Sequence, residues 1–161
     1  MRRLCYDYLA LLEAPRIRGE TMSKDSSINP SDKEMTAEVR ARICEDFFLN
    51  SQTGMLVVHL DKPGDPASLR LVLANAAASN FVGFDVRAEV GRLVVDIFPK
   101  NVELGLSEAY MRVAESGGEV DMGEVSYDDK RVHGVFSTKV FAMPDHRIGI
   151  TFEKASEHKR A

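Results

Sequence analysis

The side chains best suited to chemistry in this sequence are few and scattered. His59, His133, His146 and His158 occur singly, without the i, i+4 or CxxC spacing by which a helix or a knuckle gathers ligands around a metal. They read as surface or structural residues, and no metal site is expected. Asp128-Asp129 could be paired carboxylates for acid/base work, but with Lys130 they lie between two strand-like runs, where aspartate is an ordinary turn residue. Cys5 and Cys44 are the 2 cysteines of the chain, far apart. They support neither a disulfide framework nor a thiolate metal site, and a reducing cytoplasm fits. The sequence holds no Gly-x-Ser-x-Gly, no phosphate-binding glycine loop with lysine and no Cys-His pairing. Nucleophilic and phosphoryl-transfer chemistry therefore lack their parts, and no catalytic residue is expected.

The chain that must position any site has 161 residues, 44% of them hydrophobic, enough for one substantial core with appendages. Its net charge of −4 is spread over interspersed acids and bases, with no basic run to draw in a phosphate backbone, so nucleic acid is not an expected partner. The apolar stretch 8–12 is bracketed by Asp7 and Glu13 and is too short for the core of a signal peptide. No stretch reaches membrane-spanning length, so no membrane partner is expected and the cytoplasm is the expected location. Met22 opens a second plausible start, which makes residues 1–21 a loose extension or a product of start-site choice.

Residues 1–33 read as a disordered or loosely ordered extension, ending in a polar stretch with Asn29-Pro30. Ser31 with Glu34 has the form of a capping box. It opens an amphipathic helix over 34–50, with Met35, Val39, Ile43, Cys44, Phe47 and Phe48 at three- and four-residue spacing. Strands are expected over 55–61 and 69–74, joined across the turn-rich Lys62-Pro63-Gly64-Asp65-Pro66. Several short helices should follow over 75–98, the first capped by Asn75. One longer helix is expected over 101–116, with Leu106, Ala109, Tyr110, Val113 and Ala114 as its apolar stripe and Gly117-Gly118 as its stop. Three strands close the chain, over 120–127, 131–142 and 147–153, the first bent near Met122-Gly123. The pattern is α+β: a five-stranded antiparallel sheet with short helices and one longer helix on one face, plus the N-terminal helix.

This order resembles a PAS domain, a family of sensory modules of signalling proteins. The resemblance is carried by Leu71-Val72-Leu73-Ala74-Asn75-Ala76-Ala77, by Val90-Gly91 with Asp96-Ile97-Phe98-Pro99, and by Arg147-Ile148-Gly149-Ile150-Thr151-Phe152-Glu153. It implies a PAS-like domain over 51–156 and a tail over 157–161. Lys154-Ala155-Ser156 stands where many members carry an Asp-Ile-Thr type exit into an effector helix. The resemblance also implies a pocket between sheet and helices, for which Leu73, Phe81, Ile97, Met111, Phe136 and Ile150 are the candidate lining residues. Photochemical flavin bonding, or a cinnamoyl chromophore, would need a cysteine, and residues 75–118 have none. Histidine-ligated haem would need a histidine in the long-helix region, which is also lacking. Both covalent flavin and haem are thus disfavoured; noncovalent flavin has no distinctive support, and the cofactor is unknown. The implied function is a sensor or adaptor that binds a small apolar ligand or a signalling protein. It is expected to act as a homodimer through Val39, Ile43 and Phe47. A ligand-free dimerisation module and a small α+β hydrolase or isomerase are the alternatives.

Overall fold

The computed structural model describes residues 35–156. The 1–33 extension, the start at Met22, Cys5, the Ser31–Glu34 capping box, His158 and the 157–161 tail lie outside the described residues. The chain divides after Phe48 into two units.

Helix α1 runs Ala37–Asn50, three residues later than the sequence pattern predicts. Thr36 explains the start. Its Oγ1 accepts a hydrogen bond from the Val39 N–H at 3.2 Å, and its carbonyl accepts from the Arg40 N–H at 3.0 Å, so Thr36 is the cap and the helix begins after it. Met35, Val39, Ile43 and Phe47 recur every four residues and all are exposed.

The second unit is built on a five-stranded sheet of β1 (Gly54–Leu60), β2 (Leu69–Ala74), β3 (Glu119–Asp128), β4 (His133–Met143) and β5 (Arg147–Lys154), in the order β2-β1-β5-β4-β3. Every neighbouring pair is antiparallel. The last strand enters the middle of the sheet, where Leu56 pairs with Ile150 and Ile150 with Val140. Ile148, Ile150 and Phe152 point inward and are buried, as the alternation in the sequence predicts.

The inner face is covered by α2 (Ala76–Val82), a 3-10 turn over Val86–Glu89, α3 (Val94–Ile97), α4 (Lys100–Glu103) and α5 (Leu106–Ser116). The single helix expected over 101–116 is two helices. Gly105, at φ 71°, takes the left-handed conformation that a residue with a side chain rarely adopts, and the chain turns there before α5 begins. At the other end of α5 the Gly117 N–H returns to the Val113 carbonyl at 3.0 Å.

Two bulges reset the sheet's alternation. In β3 the register shifts between Asp121 and Gly123, at the predicted bend. In β2 an extra residue falls between Leu71, which pairs with Val58, and Leu73, which pairs with Val57. Leu71 and Leu73 have the same parity in sequence but lie on opposite faces of the sheet.

Asn75 joins the sheet to the helical layer. It has no solvent exposure. Its Oδ1 accepts from the Met55 N–H at 2.9 Å and from the Ala78 N–H at 3.0 Å, while its Nδ2 donates to the Thr53 carbonyl at 2.9 Å. Its own backbone N–H donates to the Met55 carbonyl at 3.1 Å. One side chain thus caps α2 and fastens the first residues of β1. Asn75→Ala would leave the buried Ala78 N–H and the part-buried Met55 N–H and Thr53 carbonyl without this partner, at up to about 1–3 kcal/mol each before relaxation. A loss of roughly 3 kcal/mol or more is expected in urea unfolding, and a loss under about 1 kcal/mol would show that the clamp carries little of the fold.

Candidate functional site

The space between sheet and helices is not filled. A cavity of about 70 Å³ opens there. From the inner sheet face, Leu56, Val58 and Leu71 line it on β1 and β2, and Phe136, Ile150 and Phe152 line it on β4 and β5. Val82, Val94, Phe98, Leu106 and Tyr110 close it from the helices, and Val125, Tyr127 and Val132 from the β3–β4 end. The aromatic rings brace one another: Phe98 meets Tyr127 edge-on at 6.3 Å between centroids, and Phe136 meets Phe152 at 5.9 Å. Phe81 supports Phe152 from behind at 6.1 Å.

Of the six residues that the sequence nominates, Phe136 and Ile150 line the cavity. Ile97 is buried in the core, while Phe81 and Met111 pack against that core half-buried; none of the three lines the space. Leu73 lies on the outer face because of the β2 bulge, whereas Leu71, on the other side of the bulge, lines the cavity.

The polar part of the lining was not singled out in the sequence: Asn101, Tyr110, Tyr127 and Thr138. Thr138 shares the parity of Phe136 and Val140 along β4, so alternation carries that signal. Asn101 carries none. A continuous helix would extend the Leu106–Tyr110–Val113 stripe back to Val102. The break at Gly105 instead leaves Val102 59% exposed and brings Asn101 inside at 6%. The Asn101 side chain and the Tyr110 hydroxyl have no hydrogen-bond partner among the described residues. The Thr138 hydroxyl has one long contact, 3.4 Å to the Phe136 carbonyl. Beside them, but not lining the cavity, the Ser107 hydroxyl is buried and unpaired. A fully buried unpaired polar group such as the Ser107 hydroxyl is rare and costly, whereas the Asn101 and Tyr110 polar groups keep some accessible surface.

Charge stays outside. Burial pushes the Tyr110 phenol well above its usual range. Burial does the same to Tyr127, with the Asp129 carboxylate adding to it, so both phenols remain protonated at neutral pH. The Tyr127 hydroxyl accepts from the Lys100 N–H at 3.1 Å and so ties the cavity wall to the start of α4. Asp129 holds the outer turn by accepting from the Arg131 and Val132 N–H groups at 2.7 and 2.8 Å. The Arg131 guanidinium then lies over the Phe84 ring, 3.8 Å from its centroid, and donates to Glu89 at 3.2 Å. The β3–β4 turn is thereby fastened to the helical layer beside the cavity. His59 pairs with Asp61 at 2.8 Å and His133 pairs with Asp128, both at the surface.

With that geometry in place, solved structures supply a likeness of fold. A domain of a sensory box sensor histidine kinase/response regulator from Geobacter sulfurreducens matches with a TM-score of 0.58 at 13% identity, over 74% of this chain and 97% of that one. A PAS domain from Colwellia psychrerythraea matches with a TM-score of 0.53 at 16% identity, over 72% and 97%. An RNA-binding light-oxygen-voltage receptor matches with a TM-score of 0.59 at 12% identity, over 83% of this chain but only 38% of that one. No family model matches the sequence, and no curated protein does. The chain has a PAS-like fold. No helix among the described residues is long and apolar enough to cross a membrane.

The carboxylates around the site give a sign to the pH dependence. Hydrogen bonding from Arg131, with Arg92 assisting, lowers Glu89 against a counteracting burial effect. For Asp129, burial acts upward but is outweighed by the Arg131 and Val132 backbone donors, and for Asp61 it is outweighed by His59 and Arg70. Depressed folded values mean stability that is present above the unfolded values, 3.8 for aspartate and 4.5 for glutamate, and lost as pH falls through the folded ones. The melting temperature should hold from about pH 7 to about pH 5 and drop below about pH 4, with a shallower drop in Asp129→Asn. A melting temperature level down to about pH 3 would contradict this.

Proposed function

We propose that this chain is a sensory or adaptor module of signal transduction. It takes a small molecule into the cavity and reports through a change in dimer or partner contacts. The observation that carries the reading is the cavity itself: an aromatic-walled space in a PAS-like fold, with the buried Asn101 amide unpartnered on its wall. A ligand that binds one arrangement of the cavity wall better than another shifts the population towards it. The Tyr127, Asp129 and Arg131 contacts give such a shift a route to the surface turn. The lining holds no carboxylate, histidine, cysteine or lysine, which supports a binding role over hydrolysis or isomerisation.

The α1 stripe of Val39, Ile43 and Phe47 supports the dimer part of the reading. A second copy of the helix would bury these exposed side chains, Phe47 being 77% exposed. The same stripe favours a second reading, a dimerisation module whose cavity holds only water.

Native mass spectrometry of freshly purified protein, set beside the denatured mass, separates the two. A dimer with added noncovalent mass is expected; a bare dimer would favour the second reading, and a bare monomer would contradict the use of α1. Ile43→Glu with Phe47→Glu should raise the dimer dissociation constant at least about tenfold, since two buried charges would replace apolar contacts. An unchanged constant by analytical ultracentrifugation would remove α1 from the interface.

A further inference from the structure

The cavity's size and polarity point to a narrower class of guest, an inference that rests on the ligand-binding reading above. At about 70 Å³ the space falls well below the roughly 300–1,000 Å³ of sites for drug-sized ligands. It is also smaller than the roughly 150 Å³ apolar cavity that accepts benzene. A flavin or a haem would require the helices to leave the sheet. A guest of a few carbons fits the present walls, and a single ring requires them to open slightly.

The lining then sets the chemistry. Phe98, Phe136 and Phe152 offer ring faces and edges to an apolar body. No charged side chain lines the cavity, so an ionised guest would lose its hydration with nothing to replace it. Asn101 is 6% exposed, and its amide, which can both donate and accept, has no partner among the described residues. The Tyr110 hydroxyl, 5% exposed as a residue, is in the same condition. An apolar molecule without a polar head would leave both unsatisfied.

We infer that the cavity binds a small uncharged amphiphile, no larger than a single ring, through a hydroxyl or amide head hydrogen-bonded by Asn101 and Tyr110. Water alone would satisfy the polar groups but would leave the aromatic walls wetted, which makes it the occupant that such a guest displaces.

The test is a methyl and amide NMR titration of the full chain with phenol, toluene, benzoate and 2-naphthol. Phenol is expected to give saturable shifts at cavity residues such as Ile150 and Val58. Benzoate and 2-naphthol should bind at least about tenfold more weakly, and phenol should be preferred over toluene by about tenfold, the worth of one or two net hydrogen bonds. Asn101→Leu should reduce that preference several-fold. Tyr110→Phe, which keeps the ring and removes only the hydroxyl, should also reduce it and carries the test if Asn101→Leu does not fold. Benzoate or 2-naphthol binding as tightly as phenol would overturn the inference, and so would a preference that survives in the folded variants. If no probe shifts the cavity residues while the purified protein carries a different guest by native mass spectrometry, the inference falls and the sensor reading stands. If neither is seen, both fall.

Discussion

The side chain of Asn75 holds together three backbone segments that nothing else fixes in the same way. Its oxygen takes the N–H groups of Met55 and Ala78, and its amide gives a hydrogen to the Thr53 carbonyl. Asn75 itself is out of contact with water and its bond to the Ala78 N–H is buried, where an unpaired donor or acceptor is expensive. The end of β2, the start of β1 and the first turn of α2 therefore share one geometry. From that point α2 has to run across the inner sheet face, with Ala78 and Val82 turned down onto it. Gly83, at φ 88°, then ends the helix after seven residues.

The cavity follows from these short helices. A long amphipathic helix lays a continuous stripe of side chains into a sheet. Here the covering layer between Ala76 and Glu103 is made of one- and two-turn pieces, two of them opened by a side-chain cap: Asn75 for α2, and for the 3-10 turn Asp85, whose carboxylate accepts from the Arg87 N–H at 3.2 Å. Pieces of that kind meet the sheet at different angles and leave space between their contact points. The space is walled by aromatic rings, and beside it Arg131 ties the β3–β4 turn to Glu89 and Phe84. The buried Asn75 amide and Ser68 hydroxyl are hydrogen-bonded, whereas this region carries an amide and hydroxyls without partners among the described residues, so it is less self-satisfied than they are.

Much of this could be read from the amino-acid sequence, for identifiable reasons. The β5 run Ile148-Gly149-Ile150-Thr151-Phe152 alternates cleanly, and so do Phe136 and Val140 in β4 with Val132 just before it; period two leaves one choice of inward face. Asn75 before an alanine run reads as a cap, which is part of its observed role. Its clamp on β1 spans twenty positions and has no local signature. The cavity was less legible because its lining depends on changes of phase. The β2 bulge turns Leu73 out although it shares the parity of Leu71, and the turn at Gly105 exchanges Val102 for Asn101. Both are single-residue backbone events that periodicity cannot register. In α5 the stripe was visible, but Tyr110 rather than Met111 faces the space, a difference of one helical position or 100° of rotation.

An experimental structure at a resolution that shows ordered solvent addresses the central claim directly. The expected result is an open cavity, with density for a small guest or for ordered water within hydrogen-bond distance of both the Asn101 amide and the Tyr110 hydroxyl. A cavity closed by repacked aromatic side chains, with Asn101 bonded to neighbouring protein groups or turned out to solvent, would contradict the assignment of this region as a binding site.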